Sequence, residues 1–199
     1  MWSLFQFLNQ TVKPPKDVLF ERFLEKIIPI FGDEPEFWLP KKQQPSDPLT
    51  VVVLFKGVPD ARFLTAVTYG LSLQPHREWP DNRPELCLVV QSQNENWGKA
   101  LGHLVSRLRG DCPFVSGQLI RFGTAVVEEA VMDAFFVWEP WFLAAEERQF
   151  DIGLDYQIRL QALYPIRESE ALVCEKIGPQ AFVKQLQLAP FDVDRPEIH

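Results

Sequence analysis

Histidine and cysteine are weighed first, because a base, a nucleophile or a metal centre needs them in workable company. His76 lies in the polar stretch Gln74–Pro84, His103 lies between Gly102 and Leu104 in a helical pattern, and His199 is the last residue. None of the three falls in a His-Glu-x-x-His or other metal-binding spacing. Cys87, Cys112 and Cys174 are odd in number, widely spaced and without a Cys-x-x-Cys pair. That pattern suits separate buried thiols in a reducing compartment, not a disulfide framework or a zinc site. Cys87 sits in an apolar run, where a thiol is usually inert. The chain contains no Gly-x-Gly-x-x-Gly, no Gly-Lys-Ser/Thr and no Gly-x-Ser-x-Gly, so neither a phosphate cradle nor a nucleophile elbow has a carrier. Glu128-Glu129, Glu146-Glu147 and Glu168/Glu170 have the spacing of acid–base pairs. The same spacing fits a solvated surface or a helix start, where the macrodipole favours negative charge. These residues argue for no catalytic group, no metal and no cofactor. A small hydrolase or transferase with an unrecognised site is the alternative, and the shortage of histidine weighs against it.

Two aromatic stretches suit binding better than catalysis. Gln74–Pro84 (QPHREWPDNRP) sets Trp79 beside His76 and Arg77, and Trp138-Glu139-Pro140-Trp141-Phe142 sets three aromatics around one carboxylate. An exposed tryptophan among polar neighbours is a typical interface anchor, whereas a buried one is core. His76, Arg77, Trp79, Trp138, Trp141 and Phe142 are therefore the candidate contacts for a protein partner.

The formal net charge is −7, from 20 Lys+Arg against 27 Asp+Glu, and Lys41-Lys42 is the one adjacent basic pair. An acidic protein of this kind is a poor match for nucleic acid or an anionic membrane. No apolar stretch approaches the roughly 20 residues of a membrane span, and the N-terminus lacks a signal-peptide pattern. The expected location is cytoplasmic. A length of 199 residues and an apolar fraction of 46% suit one domain with a sizeable core.

The elements that must position these residues are legible in part. Leu49–Phe55 is a valine-rich apolar run suited to a strand buried on both faces. Lys56–Asp60 carries turn chemistry. Arg62–Leu73 reads as the return strand, with Phe63, Thr65, Val67, Tyr69 and Leu71 on one face. The pair is expected as adjacent antiparallel strands near the sheet centre. Gly70 within it implies a bulge or a close backbone approach. Helices are expected over Met1–Val12, over Asp17–Phe31 with Val18, Leu19, Phe23, Leu24, Ile27 and Ile28 on one face, and over Trp97–Leu108, Glu168–Ile177 and Pro179–Leu186. Further strands are expected at Glu36–Leu39, Glu85–Gln91, Gln118–Phe122, Ala130–Val137 and Tyr156–Leu163, with an irregular tail from Ala189. Strands and helices mix without strict alternation, which predicts a single α/β (α+β) domain with a mixed central sheet flanked by helices.

Val67-Thr68-Tyr69-Gly70-Leu71-Ser72 resembles the Thr-x-Gly-Leu-Ser segment of the Suppressor of Fused (SUFU) family. Glu85-Leu86-Cys87-Leu88 is similar to the acidic residue and apolar run that follow it. Tyr164–Glu170 resembles the family's Pro-Ile-x-x-x-Glu turn into a short helix, and Arg195-Pro196 its C-terminal end. The resemblance covers residues 49–199, leaving 1–48 as a helical and proline-rich lead-in to one SUFU-like domain spanning 1–199. It implies a non-catalytic protein-binding module whose partner is another protein. Animal members restrain Gli-type transcription factors through a cleft between two domains, and this chain carries only the first. Short bacterial members look like immunity proteins that neutralise a toxin by stoichiometric binding, a role an acidic single domain suits.

Overall fold

The computed structural model describes residues 16–41, 48–128 and 130–199. The expected Met1–Val12 helix and Glu129 lie outside the described residues.

The first helix, α1, spans Val18–Phe31. Asp17 Oδ1 accepts from the Leu19 and Phe20 amides at 2.8 and 3.0 Å, satisfying two donors that a helix start leaves open. Its buried face is Phe20, Phe23, Ile27 and Phe31. That face is rotated from the expected one. The large rings of Phe20 and Phe31 bury more apolar area than Val18, which is left 64% exposed.

Eight strands form one mixed sheet. They are β1 (Glu36–Trp38), β2 (Val51–Lys56), β3 (Leu64–Tyr69), β4 (Asn82–Val90), β5 (Leu119–Arg121), β6 (Ala134–Trp138), β7 (Gln149–Phe150) and β8 (Gln157–Ile166). The order is β1-β2-β3-β4-β8-β6-β5, and β7 pairs with β8 off this path. β2 and β3 are antiparallel, with Val51 opposite Tyr69 and Lys56 opposite Leu64. They are adjacent, as the short turn between apolar runs requires, and β3 borders the middle strand β4. β2 is buried on both faces: Val51, Val53 and Phe55 point to one side of the sheet, Val52 and Leu54 to the other.

β4 starts three residues before the expected Glu85 and takes in Pro84. Proline is tolerated there because β8 pairs along that stretch while the register with β3 stops at Cys87. β4 and β8 run parallel, Asn82 facing Gln157 and Cys87 facing Ala162, whereas the other strand pairs are antiparallel.

One face of the sheet is covered by α2 (Asn96–Leu108), which buries Trp97, Leu101, Leu104 and Val105 against Val52, Leu54, Ala66 and Leu88. α2 lies low on the sheet because Gly102 has no side chain. A Cβ there would stand 2.6 Å from Val52 Cγ2 and 2.7 Å from the Trp38 ring. The opposite face is covered by α1, α3 (Glu168–Ile177), α4 (Pro179–Leu186) and the segment around Trp141 and Leu143.

Candidate partner-binding cleft

The Thr-x-Gly-Leu-Ser segment has a physical purpose at the end of β3. Gly70 adopts φ +112°, and a Cβ on it would overlap the Leu49 carbonyl oxygen. The turn it permits aims three consecutive amides at Glu85. Gly70, Leu71 and Ser72 N–H donate at 2.8, 3.3 and 3.0 Å, and the Thr68 and Ser72 hydroxyls each donate at 2.7 Å. Thr68 Oγ1 also accepts from the Leu86 amide at 2.8 Å. Glu85 is fully buried. Burial pushes its carboxyl up from the ordinary value, while the bonds from Ser72, Thr68 and Gly70 pull it down. The same turn carries Leu71 to the α2 face while Val67 and Tyr69 stay on the other. The expected alternation through Leu71 therefore breaks at Gly70.

A second buried carboxylate stands at the start of α3. Glu170 Oε2 accepts from the Arg167 amide at 2.8 Å and from Arg195 Nη2 at 2.6 Å, and Glu170 Oε1 from the Ile198 amide at 3.0 Å. Arg195 and Glu170 are 3% and 0% exposed. Burial lowers the pKa of Arg195, partly offset by the pull of Glu170. The tail is irregular, yet it locks onto the core through this pair.

Neither carboxylate is open to a substrate. Glu146 is exposed, Glu147 accepts from the Ala144 amide at 2.8 Å, and Glu168 holds Arg121 at 2.7 Å. Burial pushes the Cys87 thiol up strongly, and the Cys174 thiol up to about 11. Cys87, Cys112 and Cys174 are all buried and unbridged. His103 packs edge-on to the Trp38 ring with centroids 5.2 Å apart, and burial lowers its pKa. Among the described residues, no group of three or more His, Cys, Asp or Glu side chains is placed to hold a metal ion.

The first aromatic stretch lies at one end of the sheet, where the parallel strands β4 and β8 begin. A cavity of about 230 Å³ opens there, walled by Trp79, Pro113 and Phe114, with Asp81, Arg159 and Gln161 among its polar lining. Trp79 is core more than anchor: it is 8% exposed, and its indole N–H donates to the Pro113 carbonyl at 2.7 Å. The sequence left the exposure of this ring open, and the structure buries it. The loop closes on itself, His76 packing on Trp79 at 5.1 Å and Nδ1 of His76 accepting from the Glu78 amide. Arg77 remains exposed.

Glu139 joins the second stretch to this cavity, its Oε1 accepting from Arg159 at 2.6 Å. The rings beside Glu139 turn to the other sheet face. Trp138 stacks on Phe136 at 5.4 Å, and Trp141 stacks on Tyr164 at 4.1 Å, nearly parallel. Phe142 meets Phe191 edge-on at 5.5 Å. All three are partly buried. Arg159 and Gln161 were not singled out from the sequence. They interleave with apolar Ile158, Leu160 and Ala162, a pattern that marks a face but not a cavity. A second concavity, about 300 Å³, lies along α2 between Leu104, Leu108, Ile120 and Phe122.

The chain is similar in structure to a SUFU homolog from Neisseria gonorrhoeae, with TM-score 0.69 and 14% identity over 90% of this chain and 94% of that one. A chain of the Sufu–Fu complex gives TM-score 0.63 and 10% identity over 89% of each. Drosophila Suppressor of Fused gives TM-score 0.64 and 11% identity over 89% of this chain, which spans about half, 49%, of that protein. No protein-family model and no curated protein matches the sequence. The fold is SUFU-like, as the four short motifs imply.

Proposed function

We propose that this chain is a non-catalytic protein-binding module, that it acts in the cytoplasm, and that it serves as an immunity protein neutralising a toxin by stoichiometric contact. The observation that carries the reading is the fold shared with a chain of the Sufu–Fu complex. The fold is shared as well with the Neisseria homolog, 94% of which is covered. The net charge of −7 favours a basic partner through long-range steering. Unbridged buried thiols suit a reducing compartment. No helix among the described residues is long and apolar enough to cross a membrane.

The contact residues we assign are Trp79 in the cleft wall with His76 and Arg77 on its loop, and Trp138, Trp141 and Phe142 on the other sheet face. The test is affinity capture from native lysate, followed by titration of the purified partner. A 1:1 complex is expected, and Arg77→Glu should weaken it at unchanged melting temperature because Arg77 is exposed. Trp141→Ala should cost at least ~2 kcal/mol of binding, the usual threshold for an anchor. Affinity unchanged in both variants removes the assignment. A large thermal shift with one metabolite, and no protein partner, would favour the enzyme reading instead.

A further inference from the structure

The fold leaves one polar group of the cavity unsatisfied. Gln161 is 7% exposed, and its Oε1 is buried without a hydrogen-bond partner among the described residues. Its neighbours in β8 are apolar and buried. A leucine would fill the position without that cost, so the amide calls for a donor arriving from outside. Asp81 stands on the same cavity and forms no ion pair among the described residues. Trp79 and Phe114 supply aromatic walls. Arg159 also lines the cavity, but Glu139 holds its guanidinium at 2.6 Å. An acidic ligand would therefore meet an acceptor and a carboxylate. A ligand that is planar, cationic and rich in donors meets complementary groups at Gln161, Asp81, Trp79 and Phe114.

We propose that this cavity takes an arginine side chain of the partner protein, its guanidinium donating to Gln161 Oε1 and to the Asp81 carboxylate. Arginine is preferred over lysine because its rigid fork reaches two acceptors at once and stacks on aromatic rings. The proposal deepens the protein-binding reading and rests on it, but its test needs no partner.

The probe is N-acetyl-arginine amide, titrated into the full ¹⁵N-labelled chain. The readouts are the Gln161 side-chain amide and the Trp79 indole N–H, which lies in the cavity wall. Saturable shifts of both signals are expected, with N-acetyl-lysine amide binding about tenfold more weakly, a difference of ~1.4 kcal/mol. Gln161→Leu, read at the Trp79 indole, should abolish the shift and melt no lower than the parent, because the unsatisfied acceptor is gone. Asp81→Asn, a change at the cavity mouth, should weaken the arginine probe about tenfold as one charge partner is lost. No saturable shift, equal binding of N-acetyl-glutamate amide, or full affinity retained in either variant overturns the proposal. If the probe is silent while Arg77→Glu still weakens partner capture, the arginine pocket falls and the protein-binding reading stands. If the probe binds as described but no partner is captured, the cavity assignment stands and the wider reading falls.

Discussion

Five groups donate to the carboxylate of Glu85, and that count decides what substitution there would do. Glutamine keeps the shape but brings an NH₂ against amides and hydroxyls that are themselves donors. Glu85→Gln should therefore cost at least ~3 kcal/mol of stability, read from denaturant unfolding, since bonds to a charged group contribute ~1.5–3 kcal/mol each. A loss below ~1 kcal/mol would mean that the nest is not holding the turn. His103 gives a pH dependence of defined sign. Burial, then the charge of Arg107, lowers its folded pKa below the ordinary value. The unfolded chain therefore takes up a proton first as pH falls below about 6.5, and stability is lost on acidification until the folded form protonates as well. His103→Gln should flatten the stability curve between pH 7 and 5, and a slope unchanged by the substitution would place the titrating group elsewhere. The sequence exposed Thr68, Gly70, Ser72 and Glu85 as a family mark, not as a coordination shell. Their convergence depends on the β3–β4 register, and no local pattern encodes it. Gln161 was not legible for the same reason: a polar residue in an apolar strand looks alike whether it faces water, a partner or a cavity.

Among the elements, α1 and α2 were readable because their periodicity runs for three turns or more, and the ends of α1 carry Asp17 and Gly32. The low seat of α2 was not readable. Gly102 is poor for helix propensity, and only the position of Val52 and Trp38 explains it. β7 has two residues, too few for any alternation to register. The tail carried no pattern and was expected to be irregular, yet Arg195 is among the most buried charges of the chain. Arg195→Ala would strand the Glu170 carboxylate inside the protein. The expected loss is ~3–5 kcal/mol, the usual cost of removing one member of a buried pair. Restoration by Glu170→Gln in the double variant would separate the stranded charge from simple loss of packing, and its failure to recover any stability would refute the charge explanation.

At the scale of the whole molecule, a mixed sheet flanked by helices was legible, but its strand order was not. The parallel seam between β4 and β8 joins residues about 75 positions apart, and such a pairing leaves no trace in local sequence. That seam also divides the sheet. Strand pairing on one side stays within residues 36–90 and on the other within 119–166. Each half can close its short loops early, whereas the seam must wait for a long one, because the entropy of closure precedes any reward from non-local contact. The order of events in folding follows: two antiparallel halves form, and the seam zips last. Leu86→Ala and Leu160→Ala, buried on the seam, should speed unfolding in stopped-flow measurements while leaving the folding rate nearly unchanged. Val53→Ala in the β2–β3 hairpin should instead slow folding. Were the seam variants to slow folding as much as the hairpin variant, the two halves would not be independent. The mouth of the candidate cleft sits on the starting end of this seam, so on that order of events it is assembled at the final step, and a chain halted before that step lacks the proposed site.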